Sequence, residues 1–144
     1  MIHATINGIE VTVEEGSTIL EAAEQYGIEI PTLCYLKDVT PEGSCRMCMV
    51  EVEGSPKLVT ACSFPIAEGN VIYTESERVI ESRKYTLDLL LSCHDTNCFS
   101  CAANGDCKLQ EYCFRYGVKE TTFPKKEFTA PIDDSSRFFV YNPN

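Results

Sequence analysis

The sequence predicts an α+β fold, with a small mixed sheet packed on one helix, then a helical segment and an extended tail. Three observations carry this. Two short stretches near the start, Ile2–Ile6 and Ile9–Val13, alternate apolar and polar residues about Asn7-Gly8, the usual signal of a two-residue hairpin turn. Thr18-Ile-Leu-Glu21 is a capping-box pattern that opens a helix. From about Ser76 the apolar residues change to a helical period. Two strands, a helix and more strands give a sheet packed on a helix, and the helical segment follows it.

The first helix runs from Thr18 through Ala22, Ala23 and Tyr26, with Gly27 as its natural stop. The stretch from Ile28 to Ser44 carries Pro31, Pro41 and Gly43 and reads as irregular. Met47–Val52 and Leu58–Thr60 read as strands about the turn Glu53-Gly54-Ser55-Pro56, and Val71–Tyr73 as a last short strand. In the helix after Ser76, Val79, Ile80, Leu87, Leu90 and Leu91 share a face, with Glu81, Lys84 and Asp88 between them. Cys107 to Tyr116 reads as another short helix, stopped by Gly117. The implied units are 1–75 for the sheet, 76–118 for the helical part and 119–144 for the tail. The tail is mostly polar, with Pro124, Pro131 and aromatic stretches at Phe123–Phe128 and Phe138–Tyr141. It is expected to wrap over the cysteine regions or a partner.

At 144 residues and 44% hydrophobic, the chain can form one packed domain or two small ones. No run approaches the about 18 consecutive apolar residues of a membrane helix, and the start has no basic n-region, so we expect a cytoplasmic protein without a membrane span. Twelve basic against twenty-two acidic residues give a net charge of -10, which disfavours nucleic-acid partners because phosphates are repelled. The outlier is the count of nine cysteines. An odd number without a signal peptide points away from a disulfide framework and towards metal or redox chemistry.

Cys34, Cys45, Cys48 and Cys62 follow the pattern C-x10-C-x2-C-x13-C. Cys45 and Cys48 share the loop Gly43-Ser-Cys-Arg-Met-Cys48, whose backbone amides can turn inward and stabilise a negatively charged cluster. Four thiolates on such a loop can hold zinc or an iron–sulfur cluster. Zinc sites usually show two close cysteine pairs, and only one is present here. Spread ligands suit a [2Fe–2S] rhomb, which takes two thiolates on each iron.

The spacing departs from the plant-type ferredoxin pattern. "TILEAA", "IPTLCYL", "GSCRMCMVEVEG" and "LVTACSFP", in this order, resemble the N-terminal ferredoxin-like domain of [FeFe]-hydrogenases, of the large iron–sulfur subunit of respiratory complex I and of NAD-dependent formate dehydrogenases. The resemblance implies a β-grasp fold for about residues 1–75 and a [2Fe–2S] cluster on Cys34, Cys45, Cys48 and Cys62.

In "LSCHDTNCFSCAANGDCKLQEYC", Leu91 to Cys113, two ligand registers compete. Cys93-x4-Cys98-x2-Cys101 reproduces the plant-type [2Fe–2S] spacing, with Cys107 or Cys113 as the fourth ligand. His94-x3-Cys98-x2-Cys101-x5-Cys107 instead supplies one imidazole and three thiolates, and spacing alone leaves both open. Ligands placed between helices suit a compact cubane better than the flat rhomb of a β-grasp loop. The resemblance continues here, because the same families carry H-x3-C-x2-C-x5-C after a leucine-rich helix, followed by a Leu-Gln pair that matches Leu109-Gln110. It implies a helical domain with a [4Fe–4S] cluster on His94, Cys98, Cys101 and Cys107. One neutral imidazole in place of a thiolate would then raise the cluster's potential on electrostatic grounds. The residue after the histidine, often proline in relatives, is Asp95. Gly105 is expected to allow close backbone approach. Cys93 becomes a bystander, Cys113 a half-buried helix cysteine and His3 a surface residue.

The function expected is a one-electron relay with two clusters in series. It would pass electrons between a flavin-containing NAD(P)H-oxidising subunit and a hydrogenase or formate dehydrogenase module. With no Gly-rich nucleotide fingerprint, no paired catalytic carboxylates and no Ser/His/Asp set, the chain is not expected to be an enzyme by itself. A free-standing soluble ferredoxin and a zinc-stapled adaptor are the alternatives. "DDSSRFFVYNPN" resembles the linker that leads into a two-cluster ferredoxin domain in longer relatives, so the chain is either a short dedicated subunit or part of a longer one.

Overall fold

The structure is a computed structural model that describes residues 1–127 and 131–141. Strands β1 (Ile2–Ile6) and β2 (Ile9–Val13) form the expected hairpin. Asn7 and Gly8 take φ of 51° and 83° at its turn, the left-handed geometry for which these two residue types are favoured. The register sets Ile6 opposite Ile9 and Ile2 opposite Val13, which turns Ala4, Ile6, Val11 and Val13 into the core.

Helix α1 (Ile19–Gln25) begins at a complete capping box. The Glu21 amide donates to Thr18 Oγ1 at 3.2 Å, and the Thr18 amide donates to Glu21 Oε2 at 2.7 Å. Strands β3 (Met49–Val52), β4 (Val59–Thr60) and β5 (Val71–Tyr73) complete a sheet of order β2-β1-β5-β3-β4. β1 and β5 pair parallel, Ile6 beside Ile72, and the other pairings are antiparallel. The face of this sheet and the apolar side of α1 enclose one core, in which Ile6, Ile19, Ala22, Ala23, Val50 and Ile72 are fully buried.

The third strand starts two residues later than the sequence reading, because Met47 and Cys48 lie in the turn of the cysteine loop. Met47 is fully buried, but in a different place. It packs with Leu87, Tyr112 and Tyr116 in a second core that also takes in Leu33, Cys45, Ile80 and Cys113.

That second core forms where helices α2 (Glu77–Ser92) and α3 (Lys108–Tyr116) lie against the cysteine loop. Ser76 caps α2, its hydroxyl accepting from the Val79 amide at 3.4 Å. Val79, Leu87 and Leu91 are buried as expected, but so is Arg83, midway along the same face. A short 3-10 turn, Cys98–Ser100, lies between the two helices. Gly117, at φ 71°, ends α3.

The tail runs along α2 towards the second cysteine stretch. Asp88 accepts hydrogen bonds from the Thr121 hydroxyl and from the Thr122 amide and hydroxyl. The Phe123 ring meets Tyr85 edge-on at 5.5 Å, and the Lys126 amide donates to the Ser92 carbonyl at 2.8 Å. Phe138, Phe139 and Tyr141 are exposed, and Phe128 lies outside the described residues. Among the described residues no helix is long and apolar enough to cross a membrane.

Candidate metal centres

The first cysteine set sits where three segments of chain meet. Cys34 lies in the irregular stretch after α1, Cys45 and Cys48 in the loop before β3, and Cys62 just after β4. Arg46 takes φ 60°, a left-handed conformation costing about 1–2 kcal/mol in a non-glycine residue, and it turns the chain between the two loop cysteines. The sulfurs fall into two pairs. Cys48 Sγ lies 3.4 Å from Cys62 Sγ, and both residues are buried. The Cys45 amide donates to Cys34 Sγ at 3.5 Å, the inward-turned amide anticipated from the loop sequence.

The two pairs differ electrostatically. Burial pushes the Cys34 thiol up, but hydrogen bonds from Cys45 and Ser44 outweigh it and bring the value down to about 7. Burial, together with the neighbouring Cys62 and Cys45, pushes Cys48 up to about 12. Cys34 is therefore about half ionised at neutral pH, whereas Cys48 is held as the thiol, and metal binding must displace its proton.

The second site is a cavity of about 190 Å³ at the junction of α2, the 3-10 turn and α3. His94, Cys98 and Cys107 line it, together with Leu91, Leu109 and Cys113. Cys101 is exposed and follows the 3-10 turn, its amide donating to the Cys98 carbonyl at 3.2 Å. Cys93 does not line the cavity; it caps α2, exposed, with its sulfur 3.5 Å from Ser92 Oγ. The structure thus brings together three of the four residues of the His94 register and sets the fourth three positions along the same turn.

The loop is held from both sides. Asp95 Oδ1 accepts from the Asn97 amide at 3.0 Å, so the aspartate closes its own turn. Gln110 accepts from the Gly105 amide at 3.2 Å and donates to Asn104 Oδ1 at 3.1 Å. Gly105 is needed for its φ of 87° rather than for close approach, since no heavy atom lies within 4 Å of where a Cβ would stand. Cys113 is the half-buried helix cysteine expected, and its place on the cavity wall is new. Burial, with Cys107 and Cys98 nearby, raises its thiol above the ordinary value. Its spacing of six after Cys107 on a short helix was the only sequence signal for it.

Residues 1–77 match the family model of the 2Fe-2S iron-sulfur cluster binding domain. The chain belongs to this family. Behind the [2Fe–2S] domain, residues 83–122 match the NADH-ubiquinone oxidoreductase-G iron-sulfur binding region, so the chain carries one [2Fe–2S] and one [4Fe–4S] cluster. The chain is 41% identical to the mitochondrial NADH-ubiquinone oxidoreductase 78 kDa subunit of Candida albicans, over 85% of its own length and 17% of the relative's. It is also 42% identical to NADP-reducing hydrogenase subunit HndD of Solidesulfovibrio fructosivorans, over 97% of this chain and 25% of that one. It thus spans a quarter or less of the length of these relatives. The crystal structure of a NAD+-reducing [NiFe]-hydrogenase in the H2-reduced state superposes with a TM-score of 0.85 at 29% identity, covering 94% of this chain and 57% of that one. The resemblance to complex I and hydrogenase subunits read from the motifs is thereby met, as is the α+β fold of the [2Fe–2S] domain.

The donors fit the clusters. In the [2Fe–2S] domain four thiols stand as two pairs, which suits a rhomb taking two thiolates on each iron, and a backbone amide already points at one sulfur. Among the described residues no three His, Cys, Asp or Glu side chains close on the tighter geometry of a single ion. Behind the [2Fe–2S] domain, His94, Cys98 and Cys107 line one cavity, Cys101 follows the 3-10 turn, and the other walls are Leu91, Leu109, Val118 and Cys113 with Thr96, Gln110 and Lys119.

Proposed function

We propose that the chain is a one-electron relay. It holds a [2Fe–2S] cluster on Cys34, Cys45, Cys48 and Cys62 and a [4Fe–4S] cluster on His94, Cys98, Cys101 and Cys107, in units of about 1–75 and 76–118 with a tail over 119–144. The observation that carries this is that both donor sets are built into one packed body. Met47, inside the Cys45–Cys48 loop, is buried against α2 and α3, the helices on either side of the second set. The clusters supply the redox chemistry when bound; the protein holds the donors, keeps water from the buried sulfurs and sets the spacing.

The electron partners in this reading are a flavin-containing NAD(P)H-oxidising subunit and a hydrogenase or formate dehydrogenase module, in the cytoplasm. The chain transfers electrons and transforms no substrate of its own. An open groove of about 780 Å³ beside Cys62, lined by Glu14, Glu21, Glu24 and Asp38 with Lys37 as the opposing charge, suits a partner face carrying lysine or arginine.

Iron and acid-labile sulfide analysis with electron paramagnetic resonance tests the relay. The expected result is two distinct reduced-cluster signals and two plus four irons per chain. A colourless protein with stoichiometric zinc would end the proposal in favour of a stapled adaptor. Co-purification with a flavoprotein supports the subunit role, whereas an isolated chain that reduces several unrelated acceptors at full rate would make it a free ferredoxin.

A further inference from the structure

Among the described residues, Arg83 is the largest fully buried side chain. It stands on the apolar face of α2 between Val79 and Leu87, where a helical period calls for an aliphatic residue. A buried guanidinium persists only when its donors are satisfied. Here Nε donates to the Met47 carbonyl at 3.1 Å and Nη2 to the Met49 carbonyl at 3.1 Å, the two carbonyls that flank Cys48 in the chain. Nη1 donates to Glu75 Oε1 at 2.7 Å and to the Tyr116 hydroxyl at 2.9 Å. Tyr116 ends α3, the helix capped by Cys107, and its hydroxyl donates in turn to Glu75 Oε1 at 3.3 Å.

We infer that Arg83 is a positioning residue for the [2Fe–2S] site. Its guanidinium fixes the backbone on both sides of Cys48, ties that backbone to α2 and α3, and sets a positive charge beside the cysteine loop. The inference rests on the relay reading and adds a residue that holds no iron. Its charge is not cancelled evenly. The edge bearing Nε and Nη2 faces the cysteine loop, whereas the Glu75 side chain is 39% exposed and is screened by solvent. Reduction adds one negative charge to the cluster, so a nearby buried cation favours the reduced form and raises the potential.

The test is a redox titration of the intact cluster-loaded chain, following each cluster by its own paramagnetic signal. Arg83→Met is expected to lower the [2Fe–2S] midpoint and leave the [4Fe–4S] midpoint in place, and Arg83→Lys to restore most of the shift. Glu75→Gln keeps an oxygen acceptor for Arg83 and removes the partly screened negative charge, so it is expected to raise the same midpoint; this variant decides the matter where Arg83→Met does not fold. Unchanged [2Fe–2S] midpoints in the variants, or equal shifts of both clusters, would overturn the inference. Wild-type chain without iron would instead defeat the relay reading, and the two failures are told apart before any variant is made.

Discussion

His94 lines the second cavity with Cys98 and Cys107, and its neighbour Cys93 does not. Replacing His94 by alanine is predicted to abolish or reshape the [4Fe–4S] paramagnetic signal, whereas Cys93→Ser leaves signal and iron content unchanged. Loss of the signal in Cys93→Ser with retention in His94→Ala would transfer the ligand role to the thiol. Gln110 acts at one remove, through the Gly105 amide and Asn104. Gln110→Ala is predicted to leave the iron content of fresh protein unchanged and to shorten the half-life of the cluster under a chelator, read as bleaching of the visible absorption. An unaltered half-life would show that the Gln110 clamp has no part in retaining the cluster. At this scale the motif picked out residues that the fold brings to one cavity, His94, Cys98 and Cys107. Arg83 was not legible, because a periodic pattern records where apolar residues stand and says nothing of a cation buried among them.

Among the elements, the reading was most successful where local chemistry decides. The hairpin follows from Asn7-Gly8, α1 from Thr18 and Glu21, and the end of α3 from Gly117. Thr18→Ala removes the hydroxyl half of the capping box and is predicted to cost about 1 kcal/mol of stability by chemical denaturation. A change within error would mean that the sheet and not the cap holds α1. Boundaries were less legible. Met47 and Cys48 alternate with their neighbours as a strand would, and only the tertiary role of Met47 draws them out of the sheet. The sheet order, with the last strand in its middle, has no local signature either, since parallel pairing of β1 and β5 joins residues far apart in sequence.

For the molecule as a whole, Met47 carries the cysteine loop into the second core, against Leu87 of α2 and Tyr112 and Tyr116 of α3. Met47→Ala is predicted to cost about 2–5 kcal/mol and to loosen α2 and α3 together, seen as faster amide exchange in both helices. Exchange that quickens in the cysteine loop alone would contradict the shared core. The tail is attached by a titrating group. Hydrogen bonds chiefly from the Thr122 hydroxyl, against some opposing desolvation, hold the Asp88 carboxyl below its usual range. A carboxyl depressed in the folded state adds stability above its unfolded value and loses it as pH falls through the folded one. Acidification is therefore predicted to free residues 121–123 before the sheet unfolds, measured by exchange of the Thr122 amide across a pH series. Simultaneous loss of tail and sheet would contradict it.

The central position of β5 has a kinetic consequence. Every cysteine of the first set lies between Ile6 and Ile72, the residues joined by the parallel β1–β5 pairing. Closing so long a loop is an entropically costly step and tends to come late. The hairpin and α1 can form early from local contacts, and the β3–β4 pairing brings Cys48 and Cys62 together, but the segment that carries all four thiols is closed only when β5 docks. Strand docking thus acts as the clasp on the segment that carries the first cysteine set.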